Sequence, residues 1–358
     1  MSSPIKSVEI NEDKMHQFLG KVVGDFGASL GSSLAYLGQK LGLYKALVEL
    51  GSATPAELAQ KTNTNERYVR EWLINQAAGE YIDYDPTNGT YSLAPEQAVA
   101  LTDENSPFFV GGGFFVIKAM TQAVERIEDH FRDGGGMLWG EHNPDLFIGT
   151  ARFFRPGYAT FLTSSWIPSL SGVEEKLKAG GRVADVGCGH GLSTAIMAQT
   201  YPNSKFWAFD THEASIKNAK ENAKQAGVAE RVEFAVTSAQ TIPDNKYDLI
   251  TFFDCLHDMG DPVGAIKRAS EVLAPDGTVL IVEPMAGDKI EDNFNPVGRT
   301  FSGASTLCCT SNSMAQNGPA LGAVATEAAL RDTVKAGGLS QFRRTTETPF
   351  NRIFEAKK

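Results

Sequence analysis

The chain has 358 residues, of which 42% are hydrophobic and 21% charged, a globular composition whose length allows two domains of roughly 100–200 residues each. Lys and Arg total 33 against 43 Asp and Glu, and the resulting net charge of −10 disfavours general affinity for nucleic acid or an anionic membrane surface. No apolar run approaches the roughly 18 residues that a membrane span needs, and Met1–Lys6 lacks an apolar signal core, so a cytoplasmic location is expected.

Residues 14–50 read as helix, with Phe18, Leu19, Val22, Val23, Phe26, Leu30, Leu34, Leu37 and Leu41 at helical spacing. Gly20, Gly24, Gly27 and Gly31 interrupt this pattern, and each costs a helix about 1 kcal/mol relative to alanine. Close helix packing would compensate, either in a homodimer interface or within the monomer. Thr54 as N-cap, Pro55 and Glu57 start a short helix, and a second helix follows over 66–78. Tyr81–Tyr84 and Thr90–Leu93, joined by Asp85-Pro-Thr-Asn-Gly89, predict a β-hairpin.

Helix, turn, helix and hairpin make a winged helix, placed in a domain over residues 1–105. Many winged helices bind DNA, which requires a basic face. Residues 1–110 hold six Lys and two Arg against fourteen acids, and Arg67 and Arg70 stand beside Glu66 and Glu71, so nucleic acid is not the expected partner. Residues 106–170 read as a helical connector. Within it, the aromatic stretch 152–166 could roof a pocket, with Tyr158 offering a hydroxyl, or could simply pack a junction.

From residue 171 onward strands are predicted at 182–186, 205–209, 231–236, 247–253 and 277–283, alternating with helices near 191–200, 213–226 and 261–273. Repeated βα units imply a parallel sheet, with a ligand at the carboxyl ends of its strands. The first strand enters Val183-Ala-Asp-Val-Gly-Cys-Gly-His-Gly191, whose glycines Gly187, Gly189 and Gly191 can take positive φ and expose backbone N–H groups to a ligand. A dinucleotide fingerprint would need glycine at position 192, which is Leu192. Asp185, Asp210, Thr237, Ser238, Asp254 and Glu283 converge on the same strand ends.

The four cysteines, Cys188, Cys255, Cys308 and Cys309, have no C-x-x-C spacing, so reduced thiols and no metal are expected. Cys188 and Cys255 are read as small pocket-lining residues.

The G-x-G-x-G loop resembles the first motif of class I S-adenosylmethionine-dependent methyltransferases. The resemblance covers essentially the whole chain, because small-molecule O-methyltransferases of this class also carry a winged helix that serves as a dimerisation module. It implies an α/β Rossmann-like domain over 171–358, with a mostly parallel seven-stranded sheet closed by an antiparallel C-terminal hairpin. The implied cofactor is S-adenosylmethionine, held by Asp185, Gly187, Cys188, Gly189, Gly191, Asp210, Thr211, Ser238, Ala239, Asp254 and Tyr158.

Asp254-Cys-Leu-His-Asp-Met259 is similar to the His-Asp-Trp-Ser-Asp stretch of plant O-methyltransferases. By that likeness His257 is the candidate general base, and Glu283 or Asp258 is the acid that orients it. A histidine that only shapes the pocket is the plainer account. The residues depart from the family at Met259, where tryptophan is usual, and at Thr237-Ser-Ala239, where many members place an acid.

The long connection 284–325 is expected to be an acceptor lid, with Arg299, Cys308 and Cys309 as acceptor contacts. The expected function is methyl transfer to a small-molecule acceptor, oxygen favoured and a thiol next. A regulator that senses S-adenosylmethionine and binds DNA is the alternative from another class.

Overall fold

A computed structural model describes residues 10–358; the segment Met1–Lys6, on which the expected lack of a leader was argued, lies outside them. The chain divides into two compact units that meet between Phe114 and Phe115. The expected connector over 106–170 is therefore not a body of its own. Its helices Val124–Asp133 and Asp145–Gly157 belong to the second unit.

In the first unit the expected 14–50 helix is two helices, Glu12–Lys40 and Leu43–Leu50. Gly42 breaks it by adopting a left-handed conformation, φ 71°, which a residue with a Cβ rarely takes. The next helix, Pro55–Thr62, begins with a full capping box between Thr54 and Glu57. Helix Glu66–Ala78 follows, capped by Asn65, and then the hairpin of β1 (Asp83–Asp85) and β2 (Thr90–Ser92). Tyr44, Leu47, Leu58, Trp72 and Leu73 are buried between these elements, and Tyr44 meets Trp72 edge to face at 5.0 Å. The long first helix contributes little to that core. Phe18, Val23, Phe26 and Leu30 on it are each more than 60% exposed.

The second unit is built on a seven-stranded sheet. Its strands are β3 (Arg182–Val186), β4 (Lys205–Asp210), β5 (Val232–Val236), β6 (Tyr247–Phe253), β7 (Leu273–Pro284), β8 (Gln341–Glu347) and β9 (Asn351–Lys357), in the order 5-4-3-6-7-9-8. The first five are parallel and β9 and β8 are antiparallel, as expected. The direction of strand order reverses at β3, so the crevice beyond Val186 is the topological switch point where such sheets bind ligands. Both faces of the sheet are covered, so β3, β6 and β7 read as nearly continuous apolar runs.

The connection 284–325 is not an open loop. It contains the helix Pro296–Ala304, a wide π-type turn over Ser305–Cys309 and the helix Thr310–Ala315. A second π-type turn, Tyr158–Trp166, follows Pro156, whose missing N–H removes one bond from the α-helical ladder.

Candidate active site

Beyond β3, Gly187, Gly189 and Gly191 adopt φ of 74°, 52° and 69°, as the loop pattern requires. The amides of Gly187 and Cys188 both donate to the carbonyl of Phe209, at 2.8 and 3.0 Å, which stitches the loop to the end of β4. A Cβ on Gly187 would stand 2.7 Å from the Cys255 sulfur, and one on Gly191 2.8 Å from Ala219, so these two glycines permit close packing. At Gly189 a Cβ would meet no protein atom within 4 Å, and the residue lines a cavity of about 590 Å³. That volume falls within the roughly 300–1,000 Å³ of small-molecule sites.

Asp210 ends β4 on the cavity wall, where Oδ2 accepts from the Gly189 amide at 2.8 Å and Oδ1 from the His212 amide at 2.8 Å. Burial raises its pKa above the usual carboxylate range, and these backbone donors offset only part of that. Each oxygen keeps a further lone pair, so the group can still accept from a diol. Glycines without a Cβ at the floor and an acceptor carboxylate at the strand end suit a ribose-bearing ligand.

Thr211, Ser238, Ala239, Cys188, Cys255, Asp254 and Tyr158 also line the cavity. Asp254 has φ 49°, a left-handed value that is costly for a residue with a side chain and that turns the chain sharply at the end of β6. Its Oδ1 accepts from Asn351 at 2.9 Å, Oδ2 has no partner among the described residues, and burial and then Glu283 push its pKa well up. Tyr158 packs its ring 5.3 Å from that of Phe253.

Asp185 is fully buried and does not reach the wall. Ser193, Thr194 and Thr251 hydroxyls donate to it at 2.7, 2.5 and 2.9 Å, so it ties β3 to β6 and to the start of helix Leu192–Thr200. Gly191 also stands behind the wall.

The 3-10 turn Leu256–Asp258 follows β6. Nδ1 of His257 lies 2.5 Å from Oε2 of Glu283, and both side chains are at most 4% exposed. Burial alone would lower the imidazole pKa, but the charge of Glu283 carries it well above the ordinary value, with a smaller contribution from Cys309. His257 itself is absent from the cavity wall. Its neighbour Asp258 lines the cavity, with a carboxyl pushed up to about 7 by burial, in opposition to His257.

The acceptor contacts expected on 284–325 are placed differently. Arg299 is exposed on its helix and does not line the cavity. Cys308 is 0% exposed and packs with Met120, Leu146 and Phe147, because the π-type turn directs it into the core. Cys309 is close enough to His257 to act on its imidazole.

The sequence did not reveal how the segment clasps the turn. The amide of Gly322 donates to the His257 carbonyl at 3.0 Å, Asn312 Nδ2 to that of Asp258 at 2.9 Å, and Ser313 Oγ to that of Met259 at 2.8 Å. Trp139, Phe147 and His212 on the wall were also missed, with Phe147 and His212 rings 4.3 Å apart. Their positions depend on pairings across more than 60 residues, which no local pattern encodes. Among the described residues no cluster of metal ligands occurs.

The fold and the loop define the class: a methyltransferase domain of the S-adenosylmethionine-dependent type joined to a winged helix. Residues 177–335 match the methyltransferase-domain family, and residues 29–103 match the Rv2258c-like winged HTH domain family. Residues 177–335 are thus a methyltransferase domain, preceded in the chain by a winged HTH domain over residues 29–103.

Among known proteins, 27-O-demethylrifamycin SV methyltransferase of Amycolatopsis mediterranei is 32% identical over 155 residues, 43% of this chain and 55% of that protein. The chain spans about half the length or less of the first curated relatives it matches, 55%, 24% and 49%. Human N-acetylserotonin methyltransferase, solved with S-adenosylmethionine, shares the fold with a TM-score of 0.70 at 17% identity, covering 100% of this chain and 99% of that one. A candidate O-methyltransferase from Nostoc punctiforme does so with a TM-score of 0.70 at 21% identity, covering 95% and 98%.

Proposed function

We propose that the protein transfers a methyl group from S-adenosylmethionine to a hydroxyl of a small molecule, with His257 as general base. The observation that carries this reading is the 2.5 Å bond between His257 Nδ1 and Glu283 beside the cavity. Glu283 engages Nδ1, leaving Nε2 to take the acceptor proton while the carboxylate stabilises the imidazolium that forms. Bound S-adenosylmethionine supplies an electrophilic methyl on a sulfonium, whose departure leaves a neutral thioether and needs no acid. Asp210 and the glycine loop hold the nucleoside side, and Asp258, once ionised, complements the cationic centre.

Cys309, near His257, belongs to the segment 284–325, to which we assign the acceptor. The cavity wall carries Glu141, Asp210, Asp254 and Asp258 and, among the described residues, no Lys or Arg. A neutral or cationic acceptor therefore suits it better than an acidic one. Release of S-adenosylhomocysteine across a panel of phenols, alcohols and small thiols tests the reading. Turnover confined to thiols would replace O-methylation by S-methylation.

A second base assignment has its own observation. Asp258 faces the cavity with a carboxyl near neutrality, and it would be the base if His257→Ala retained turnover. The DNA-binding alternative is disfavoured by the helix Glu66–Ala78, where Arg67 pairs with Glu71 and Arg70 with Glu66. We also propose a homodimer through the exposed apolar face of helix Glu12–Lys40. Elsewhere around the same helix Gly20, Gly24 and Gly27 have no protein atom within 4 Å of a built Cβ, which leaves room for close helix approach.

A further inference from the structure

We infer that Arg352 is a positioning residue that holds the acceptor segment shut and sets the proton affinity of the His257–Glu283 pair; this rests on the reading of that pair as the base. Arg352 is 0% exposed although a guanidinium is among the costliest groups to bury. It lies in β9 directly across the antiparallel ladder from Glu283 of β7. Residues so paired project on the same face of a sheet with Cβ atoms about 4.5–5.5 Å apart.

Its Nε donates to the carbonyl of Pro284 at 2.9 Å and its Nη2 to that of Ala325 at 2.8 Å. Pro284 and Ala325 are the two ends of the 284–325 segment. One buried fork therefore fastens both ends of the chain that clasps the carbonyls of 257–259.

The remaining donor, Nη1, has no hydrogen-bond partner among the described residues, and neither does Oε1 of Glu283. Arg352 and Glu283 thus interact through charge in a low-dielectric interior, where Glu283 partly offsets the penalty of burying the guanidinium. A fixed cation beside a proton-sharing pair lowers the affinity of that pair for its proton. Arg352 is in this way suited to bring the imidazole, which Glu283 drives upward, back toward a pH at which it can accept a proton.

The test reads His257 directly, by NMR titration of its imidazole in the protein without donor or acceptor, so it does not depend on turnover. In Arg352→Met the imidazole should titrate higher by about one pH unit. In Arg352→Lys, which keeps the charge but loses the fork, the titration should stay within about 0.3 unit of the wild type. Amide exchange across 284–325 should meanwhile quicken at least about tenfold, with the sheet core still protected.

An unchanged imidazole titration in Arg352→Met, or unchanged exchange in Arg352→Lys, overturns the proposal. If Arg352→Met does not fold, the exchange in Arg352→Lys decides. Full turnover by His257→Ala would remove the base reading but would leave both of these measurements standing, so the two failures are distinguishable.

Discussion

His257 and Glu283, 26 residues apart in the chain, are joined by a 2.5 Å hydrogen bond in a place where neither side chain is more than 4% exposed. The bond links the 3-10 turn after β6 to the end of β7, the neighbouring parallel strand. It places an imidazole next in the chain to Asp258 of the cavity wall, with one nitrogen already engaged.

Replacing His257 by Ala should lower kcat by about 10²- to 10⁴-fold for a hydroxyl acceptor, while S-adenosylmethionine binding by calorimetry stays within about threefold. Glu283→Gln should move the acidic limb of the kcat profile to lower pH. The charge of Glu283 raises the imidazole pKa, so its loss frees the base at lower pH. A limb that stays in place separates Glu283 from the base.

Asp258 provides a test that needs no acceptor. Its folded pKa, about 7, is raised above the 3.8 of the free side chain. The folded state therefore binds more protons than the unfolded one between about pH 4 and 7, and wild-type stability falls as pH rises through that window. Asp258→Asn removes this penalty, so the gain in Tm over wild type should be larger at pH 8 than at pH 4. An equal effect at both values contradicts the raised pKa.

Asp210 holds the loop and, by the reading above, the ribose. Asp210→Asn should weaken S-adenosylmethionine about 10- to 100-fold, the loss expected for a hydrogen bond to a charged group. Titration calorimetry on the whole protein measures it directly. Retained affinity would move the nucleoside elsewhere in the cavity.

Phe18, Val23, Phe26 and Leu30 are exposed on helix Glu12–Lys40. A Phe26→Asp and Leu30→Asp double variant should sediment as a monomer where the wild type sediments as a dimer. A wild type that is monomeric at micromolar concentration rules out the proposed interface.

The parallel strands were legible because buried β-strands read as short apolar runs between glycine and proline signals, and the loop glycines because positive φ leaves few other choices. Thr54-Pro-Ala-Glu57 announced its helix through capping chemistry alone. Gly42 was less legible as a helix break, since apolar spacing continues across it and only its backbone conformation interrupts the helix. The surroundings of Asp185 were not legible for a related reason. A carboxylate at a strand end looks the same in sequence whether it meets a ligand or, as here, three hydroxyl groups from two other elements.

By itself the sequence determined the βα alternation, the glycine loop with Asp210 at the next strand end, and the presence of a histidine after β6. These depend on residue periodicity and on local backbone preference. Tertiary structure alone decided that Glu283, rather than the adjacent Asp258, bonds His257, that Cys308 is core while Cys309 neighbours the imidazole, and that Arg352 grips both ends of the segment 284–325. Each of those outcomes is a pairing between residues distant in the chain, set by strand order and by the π-type turn at Ser305–Cys309, and such pairings leave no trace in local spacing.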